Sequence, residues 1–190
     1  VRISSARRLD GKSLDIFNSP VSDYAKRMVF FIGLAEAVSY WKCACPPVFR
    51  VECGEMSEDD KAFFKKLWFN GLGEFFYRNG IKTDIDSFVR IDAPEPKNIP
   101  QCEDYVSSGI EIVPVGGGKD SAVTTELLRP FGDKLRFFTV NDQPARTQCV
   151  LAGGYSEDKI IKIYRTIDPE LLKRNAEGFL NGHTPFSSVV

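Results

Sequence analysis

Residues 109–129 read Gly109-Ile-Glu-Ile-Val-Pro-Val-Gly-Gly-Gly-Lys-Asp-Ser-Ala-Val-Thr-Thr-Glu-Leu-Leu-Arg129, and this stretch decides the fold. Ile110, Ile112, Val113 and Val115 predict a buried strand, and Ala122, Val123, Leu127 and Leu128 predict the apolar face of a following helix. The loop between them therefore opens a helix, where unpaired backbone N–H groups and the helix dipole favour an anion. Gly116, Gly117 and Gly118 carry no Cβ, so the backbone can take positive φ and approach phosphate oxygens closely. Lys119 adds a cation, Asp120 and Ser121 are N-cap residue types, and the Ser121 hydroxyl suits a phosphate oxygen. The pattern is that of a phosphate cradle.

Two commoner glycine signatures do not fit. A Walker A loop needs Lys followed directly by Ser or Thr, but Asp120 separates Lys119 from Ser121, and the spaced third glycine of a dinucleotide fingerprint is missing. The spacing resembles instead the PP-loop of ATP pyrophosphatases, Ser-Gly-Gly-x-Asp-Ser. Gly116 stands where that family usually has Ser, which removes one hydroxyl from the phosphate contacts.

Downstream, apolar runs and helical patterns alternate: a strand at 110–115, helix at 121–129, strand at 135–141, helix at 145–152, strand at 160–165, helix at 169–176. Such alternation predicts a parallel sheet with right-handed crossovers. Ligands of such sheets bind at the carboxyl ends of the strands, so the glycine loop, 139–142 and 166–168 are expected to converge on one crevice. Phosphates would lie over Gly116 to Ser121, and adenine against the backbone of Thr139, Val140 and Asn141. Arg165 and Asp168 end the third strand; they could hold an anionic substrate and a metal ion, pair with each other, or cap the next helix. The single histidine, His183, sits in the turn-rich Asn-Gly-His-Thr-Pro, where a site role and a solvated turn are both open.

Upstream, Ser22 to Lys42 has helical spacing with Met28, Phe31, Ile32, Ala35 and Val38 on one stripe, and Pro46-Pro47 ends it. Val48 to Cys53 alternates as a short strand. Ser57 with Asp60 opens a second helix whose aromatic stripe, Phe63, Phe64, Leu67, Trp68, Leu72, Phe75 and Phe76, runs to Asn79-Gly80 and reads as core rather than a base-stacking platform. Residues 92–100 hold three prolines and read as a linker that is neither helix nor ladder. The expected organisation is α/β: a mainly helical region over 1–100, then a parallel-sheet PP-loop nucleotide-binding domain (adenine nucleotide alpha hydrolase-like) over 101–190. Three parallel strands make a small sheet for such a fold and the chain ends on Val189-Val190, so the reading is a piece of a longer protein, its second domain incomplete.

Bulk properties narrow the partners. Lys plus Arg number 25 against 26 for Asp plus Glu in 190 residues, which is no basic field of the kind that drives nucleic-acid binding. The longest apolar run, 28–35, falls far short of the ~20 residues that span a bilayer, so a soluble, cytoplasmic protein without membrane contact is expected. Five cysteines, with no Cys-x-x-Cys pair, read as reduced thiols, and Cys43-x-Cys45 followed by Pro46-Pro47 makes a poor zinc clamp.

Several segments together resemble one family. Ser39-Tyr-Trp-Lys-Cys-Ala-Cys-Pro46, Gly71-Leu-Gly-Glu-Phe-Phe-Tyr77, Val113 to Ser121, Arg165-Thr-Ile-Asp-Pro169 and Leu180-Asn-Gly-His-Thr-Pro-Phe-Ser187 are similar to the UDP-N-acetylmuramoyl-L-alanyl-L-glutamate epimerases, from about residue 28 onward. The resemblance implies a small-molecule substrate, a UDP-sugar dipeptide, whose terminal L-glutamate is inverted to D-glutamate with ATP and Mg2+ in cytoplasmic peptidoglycan synthesis. Lys119, Asp120 and His183 would then be the catalytic set, with Asp120 also on the metal ion, and Arg165, Asn181 and Thr184 would contact substrate. The same loop also serves adenylating enzymes of tRNA thiolation or nucleobase modification, for which Cys149 is the available thiol, and non-catalytic ATP-binding modules.

Overall fold

The computed structural model describes residues 22–100, 108–141 and 143–180, together with the backbone of two short strands, β1 (Ala6–Arg7) and β2 (Ser13–Leu14), which pair antiparallel. The chain forms two compact units, one of residues 1–103 with 169–190 and the other of residues 104–168. The helix at 169–176, assigned by its position in sequence to the second domain, thus joins the first unit.

In the first unit, α1 (Asp23–Trp41) opens on Ser22, whose hydroxyl accepts from the Ala25 N–H at 3.2 Å. It buries Leu34, Ala35, Val38 and Trp41, while Ile32, expected on the inner stripe, is 55 % exposed. Strand β3 (Val48–Arg50) follows, then α2 (Glu58–Gly71) and α3 (Gly73–Arg78). The single helix expected over this aromatic run breaks at Leu72, flanked by two glycines, which are poor interior helix residues. The break leaves Leu72 fully buried. Trp68, Phe64, Phe75, Phe76 and Phe88 pack with α1 into one core, as the core reading of the stripe requires, although Phe63 lies outside it, largely exposed.

The expected linker at 92–100 begins inside a ladder. Strand β4 (Arg90–Asp92) pairs parallel with β3, the Val51 N–H donates to the Asp92 carbonyl at 2.8 Å, and the Met56 N–H donates to the Pro94 carbonyl at 2.9 Å. Proline loses its N–H but keeps its acceptor, and that acceptor is what the chain uses here. After the second unit, α6 (Pro169–Ala176) ends near Leu180, whose N–H donates to the Cys43 carbonyl and whose side chain packs on this same core.

Asp60 ties the start of α2 to α1. Its backbone N–H and the Ser57 hydroxyl form one arm of a capping box, its carboxylate accepts from the Ser57 N–H at 2.9 Å, and the Arg27 guanidinium closes on it. Burial pushes the Asp60 carboxyl up, but the Ser57 hydrogen bonds and the Arg27 charge together outweigh it and hold the group below the ordinary carboxylate range. Because the folded value is lowered, its contribution is present above about pH 4 and is lost as pH falls through that lowered value. Asp60→Asn is expected to cost about 2–4 kcal/mol and to flatten the acid limb of stability between about pH 5 and 3 in urea titrations. An unchanged acid limb would assign the acid sensitivity to other carboxylates.

The second unit holds a three-stranded parallel sheet of order β5 (Glu111–Pro114), β6 (Leu135–Val140), β7 (Ile160–Ile163). Helix α4 (Lys119–Leu127) joins β5 to β6 and α5 (Pro144–Ala152) joins β6 to β7, as the alternating pattern predicts. Val113, Val115, Leu135, Phe137 and Val150 form its core. Two expectations fail here. Ile112 is 55 % exposed, because edge strand β5 is covered on the face of Val113 and Val115 alone. Helix α4 exposes Ala122, Val123 and Leu127 of the expected face; Leu128, at its C-cap, packs on the core as expected, and Ser121 and Thr125 turn inward with it, Thr125 being 2 % exposed. Ser121 explains the rotation: its hydroxyl accepts from the Gly116 N–H at 2.9 Å, locking the helix to the loop that precedes it.

Among the described residues, no helix is long and apolar enough to cross a membrane.

Candidate functional site

The three parallel strands end on one edge, and the glycine loop rises from the end of β5 there. The Val115 N–H still pairs with the Phe138 carbonyl of β6 at 2.9 Å, after which the chain leaves the sheet. Gly117 takes φ +82°, in the left-handed region that an L side chain occupies only under strain. A Cβ on Gly117 would lie 3.0 Å from the backbone carbon of Ala145 and from the backbone nitrogen of Arg146, so the loop is seated against the first turn of α5. Gly118 caps α4 with extended backbone and no side-chain bond, and a Cβ there would meet open space.

Helix α4 begins at Lys119, so Asp120 and Ser121 fall inside its first turn instead of capping it. Lys119 and Asp120 are exposed beside the loop. Ser121 accepts from Gly116 N–H, which leaves its own O–H to donate, and the Thr125 hydroxyl is spent on the Ser121 carbonyl. A free helix N-terminus, a glycine loop, a lysine and a hydroxyl are thereby assembled within six residues, a set that suits a polyphosphate. The same residues would suit Mg2+, since that ion takes one or two carboxylates plus phosphate oxygens rather than an all-protein cage. Asp120 supplies such a carboxylate; among the described residues there is no cluster of three His, Cys, Asp or Glu side chains arranged for a metal ion.

The end of β6 is knitted to both neighbours. Asn141 has φ +53°; its N–H donates to the Ile163 carbonyl at 2.7 Å, and its side-chain oxygen accepts from the Arg165 N–H at 2.6 Å. Its carbonyl, like that of Val140, accepts from Arg146 Nη1. Thr139 is buried with its hydroxyl unpartnered, and so is Nε of Arg146. Buried polar groups without partners are uncommon and call for one.

Of the residues singled out in the sequence, Gly116 to Ser121 form the loop and helix start, while Thr139, Val140, Asn141 and Arg165 share the end of the sheet. Asn181, His183, Thr184 and Asp142 lie outside the described residues. Arg146 was missed. Its signal is a cation in the first turn of a helix that opens on Pro144, a place where the dipole disfavours positive charge, so that the side chain has to find compensation elsewhere.

Among the described residues the thiols do not form a second centre. Burial pushes Cys43 and Cys45 up from the ordinary thiol range, Cys53 is exposed and unpaired, and Cys149 packs against the core of the second unit.

Residues 13–190 match the model of the MurL N-terminal domain. The chain is 30 % identical over 158 residues to the UDP-N-acetyl-alpha-D-muramoyl-L-alanyl-L-glutamate epimerase of Xanthomonas oryzae pv. oryzae, covering 83 % of this chain and 34 % of that protein. It is also 30 % identical over 164 residues to the protein of the same name from a Micromonospora species, covering 86 % and 35 % respectively. A third relative of that name, from Salinispora tropica, is 29 % identical over 163 residues, covering 86 % of this chain and 34 % of that protein. The chain thus spans about a third of the length of the curated relatives it matches. No solved structure matches it. With the family model covering nearly the whole sequence, from β2 through the glycine loop to the last residue, the chain belongs to the MurL N-terminal domain family.

Proposed function

We propose that this chain carries the PP-loop ATP-binding part of an epimerase that inverts the terminal L-glutamate of UDP-N-acetylmuramoyl-L-alanyl-L-glutamate in peptidoglycan precursor synthesis. The observation that carries the reading is the glycine loop: left-handed at Gly117, seated on α5, and opening α4 at the carboxyl edge of a parallel sheet. The names of the relatives supply the substrate.

An α-proton beside a carboxylate is hard to remove because the carbanion forms next to a negative charge. ATP with Mg2+, when bound, supplies the adenylyl group that masks that charge as an acyl-adenylate. The N–H groups of Gly117 and Gly118, together with Lys119, would hold the phosphates and neutralise them as charge develops, while the Gly116 N–H stays on Ser121. Asp120 would orient the metal ion, and the Ser121 O–H would donate to a phosphate oxygen while its lone pair keeps the Gly116 N–H. Arg165, Asn181 and Thr184 would hold the acceptor and His183 would move the α-proton. ATP and nucleotide-sugar precursors share the cytoplasm, where the reaction would run.

Incubating the full-length protein with ATP, Mg2+ and the UDP-sugar dipeptide should release AMP and pyrophosphate and yield D-glutamate. ATP binding without acceptor-dependent AMP would favour a non-catalytic module, and AMP formed only with a tRNA or nucleobase acceptor would favour the other adenylating activities. In the same assay Asp120→Asn is expected to lower AMP formation by about tenfold to a hundredfold while changing ATP affinity little, because a metal ligand acts on charge developing at the phosphates. Equal loss of affinity and turnover would reduce Asp120 to a residue that supports the helix start.

A further inference from the structure

Asn141 is held at three points, and the carbonyl before it at a fourth. Its backbone N–H reaches Ile163, its side chain reaches Arg165 N–H, and Arg146 Nη1 donates both to its carbonyl, at 2.6 Å, and to the Val140 carbonyl before it. Asparagine tolerates the left-handed region better than most side chains, and these bonds hold Asn141 there at φ 53°. Arg146 gives up solvation and sits against the helix dipole to make its part of them. Beside the turn, the hydroxyl of Thr139, 1 % exposed, and Nε of Arg146 are buried without a partner.

We propose that Arg146 is a positioning residue for a nucleobase: it straps the carbonyls of Val140 and Asn141 so that the turn accepts the amino edge of adenine. The inference rests on the nucleotide reading above. A carbonyl oxygen has two lone pairs, and Arg146 occupies one on each carbonyl and so fixes the direction of the other. Acceptors held in that way receive the exocyclic amino group of adenine and oppose the O6 oxygen of guanine, which leaves an acceptor facing an acceptor. Without the strap the Asn141 N–H stays on the Ile163 carbonyl, but the free lone pairs of the two carbonyls lose their fixed direction and the turn loses its preference for an amino donor over the guanine O6. The effect therefore falls on base selectivity and leaves the hold on phosphate, which belongs to the glycine loop, in place.

Calorimetric titration of the 190-residue chain with ATP, GTP and inorganic tripolyphosphate, each with Mg2+, tests this. Arg146→Met should weaken ATP by about tenfold, leave tripolyphosphate unchanged and erase most of the preference for ATP over GTP. Arg146→Lys should recover part of the preference, since an ammonium can still donate to one carbonyl. Asn141→Gly accepts the left-handed φ yet loses the tie to Arg165, and should shift selectivity in the same direction even if the methionine variant folds poorly. An unchanged ATP-to-GTP ratio in a folded variant, or equal loss of ATP and tripolyphosphate, would overturn the role of Arg146. A parent chain that binds tripolyphosphate but does not prefer ATP to GTP overturns it too, with the phosphate cradle intact; a parent that binds neither ligand overturns the nucleotide reading itself.

Discussion

Gly117→Val is expected to abolish measurable ATP binding by the 190-residue chain, a loss of about a hundredfold or more in affinity, and to lower stability by about 2 kcal/mol or more. From spacing alone the new side chain would be expected to fill the space of a phosphate. The structure gives a different reason. A Cβ at φ +82° meets the backbone of Ala145 and Arg146 at 3.0 Å, and backbone at a helix start cannot give way as the tip of a flexible side chain can. The loop itself must move, and with it the N–H groups that would face the anion. Gly118→Ala is the control: φ is −93° and the Cβ meets nothing within 4 Å, so the fold should be kept and any loss of ATP affinity should be small. Calorimetry with thermal melts on both variants separates the cases. ATP bound as tightly by Gly117→Val as by the parent would remove the loop from the phosphate site.

His183→Gln should permit adenylation but slow proton exchange at the terminal glutamate by about a hundredfold to ten-thousandfold, the usual contribution of one general acid or base. The residue is the single imidazole of the chain, in the Asn-Gly-His-Thr-Pro segment that lends the family resemblance much of its specificity. Deuterium incorporation from heavy water, followed beside AMP release on the full-length protein, reads the two steps separately. Loss of both together would place His183 in nucleotide or carboxylate binding. No change in either would leave it a turn residue.

Much of the second unit was legible because its signals are local. Three glycines between a β-branched run and Lys-Asp-Ser mark a loop that opens a helix, and each of the three strands and two helices of this unit was expected within two residues of where it lies. Ser57 with Asp60 announced the start of α2 in the same way. The β3–β4 ladder was less visible: its strands have three residues each, their partners lie some forty positions apart, and three prolines after β4 disguise it.

The sequence by itself determined the order of elements in the second unit, the glycine loop and the family, since backbone sterics, capping and hydrophobic period act between near neighbours and are written along the chain. Only the tertiary structure decided which way α4 faces and what Arg146 does. Val123 and Leu127 make as good an apolar stripe as Thr125 and Leu128, and the bond from Gly116 N–H to Ser121, reaching back across the loop, selects the second. Arg146 finds its acceptors on Val140 and Asn141, six and five residues back across the turn, and Asn141 finds its own on β7, a pairing that depends on how the crossover brings separate strand ends to one edge. A rotation about a helix axis and a carbonyl's second lone pair have no period and no local propensity, so they become readable only when the groups that fix them meet in the fold.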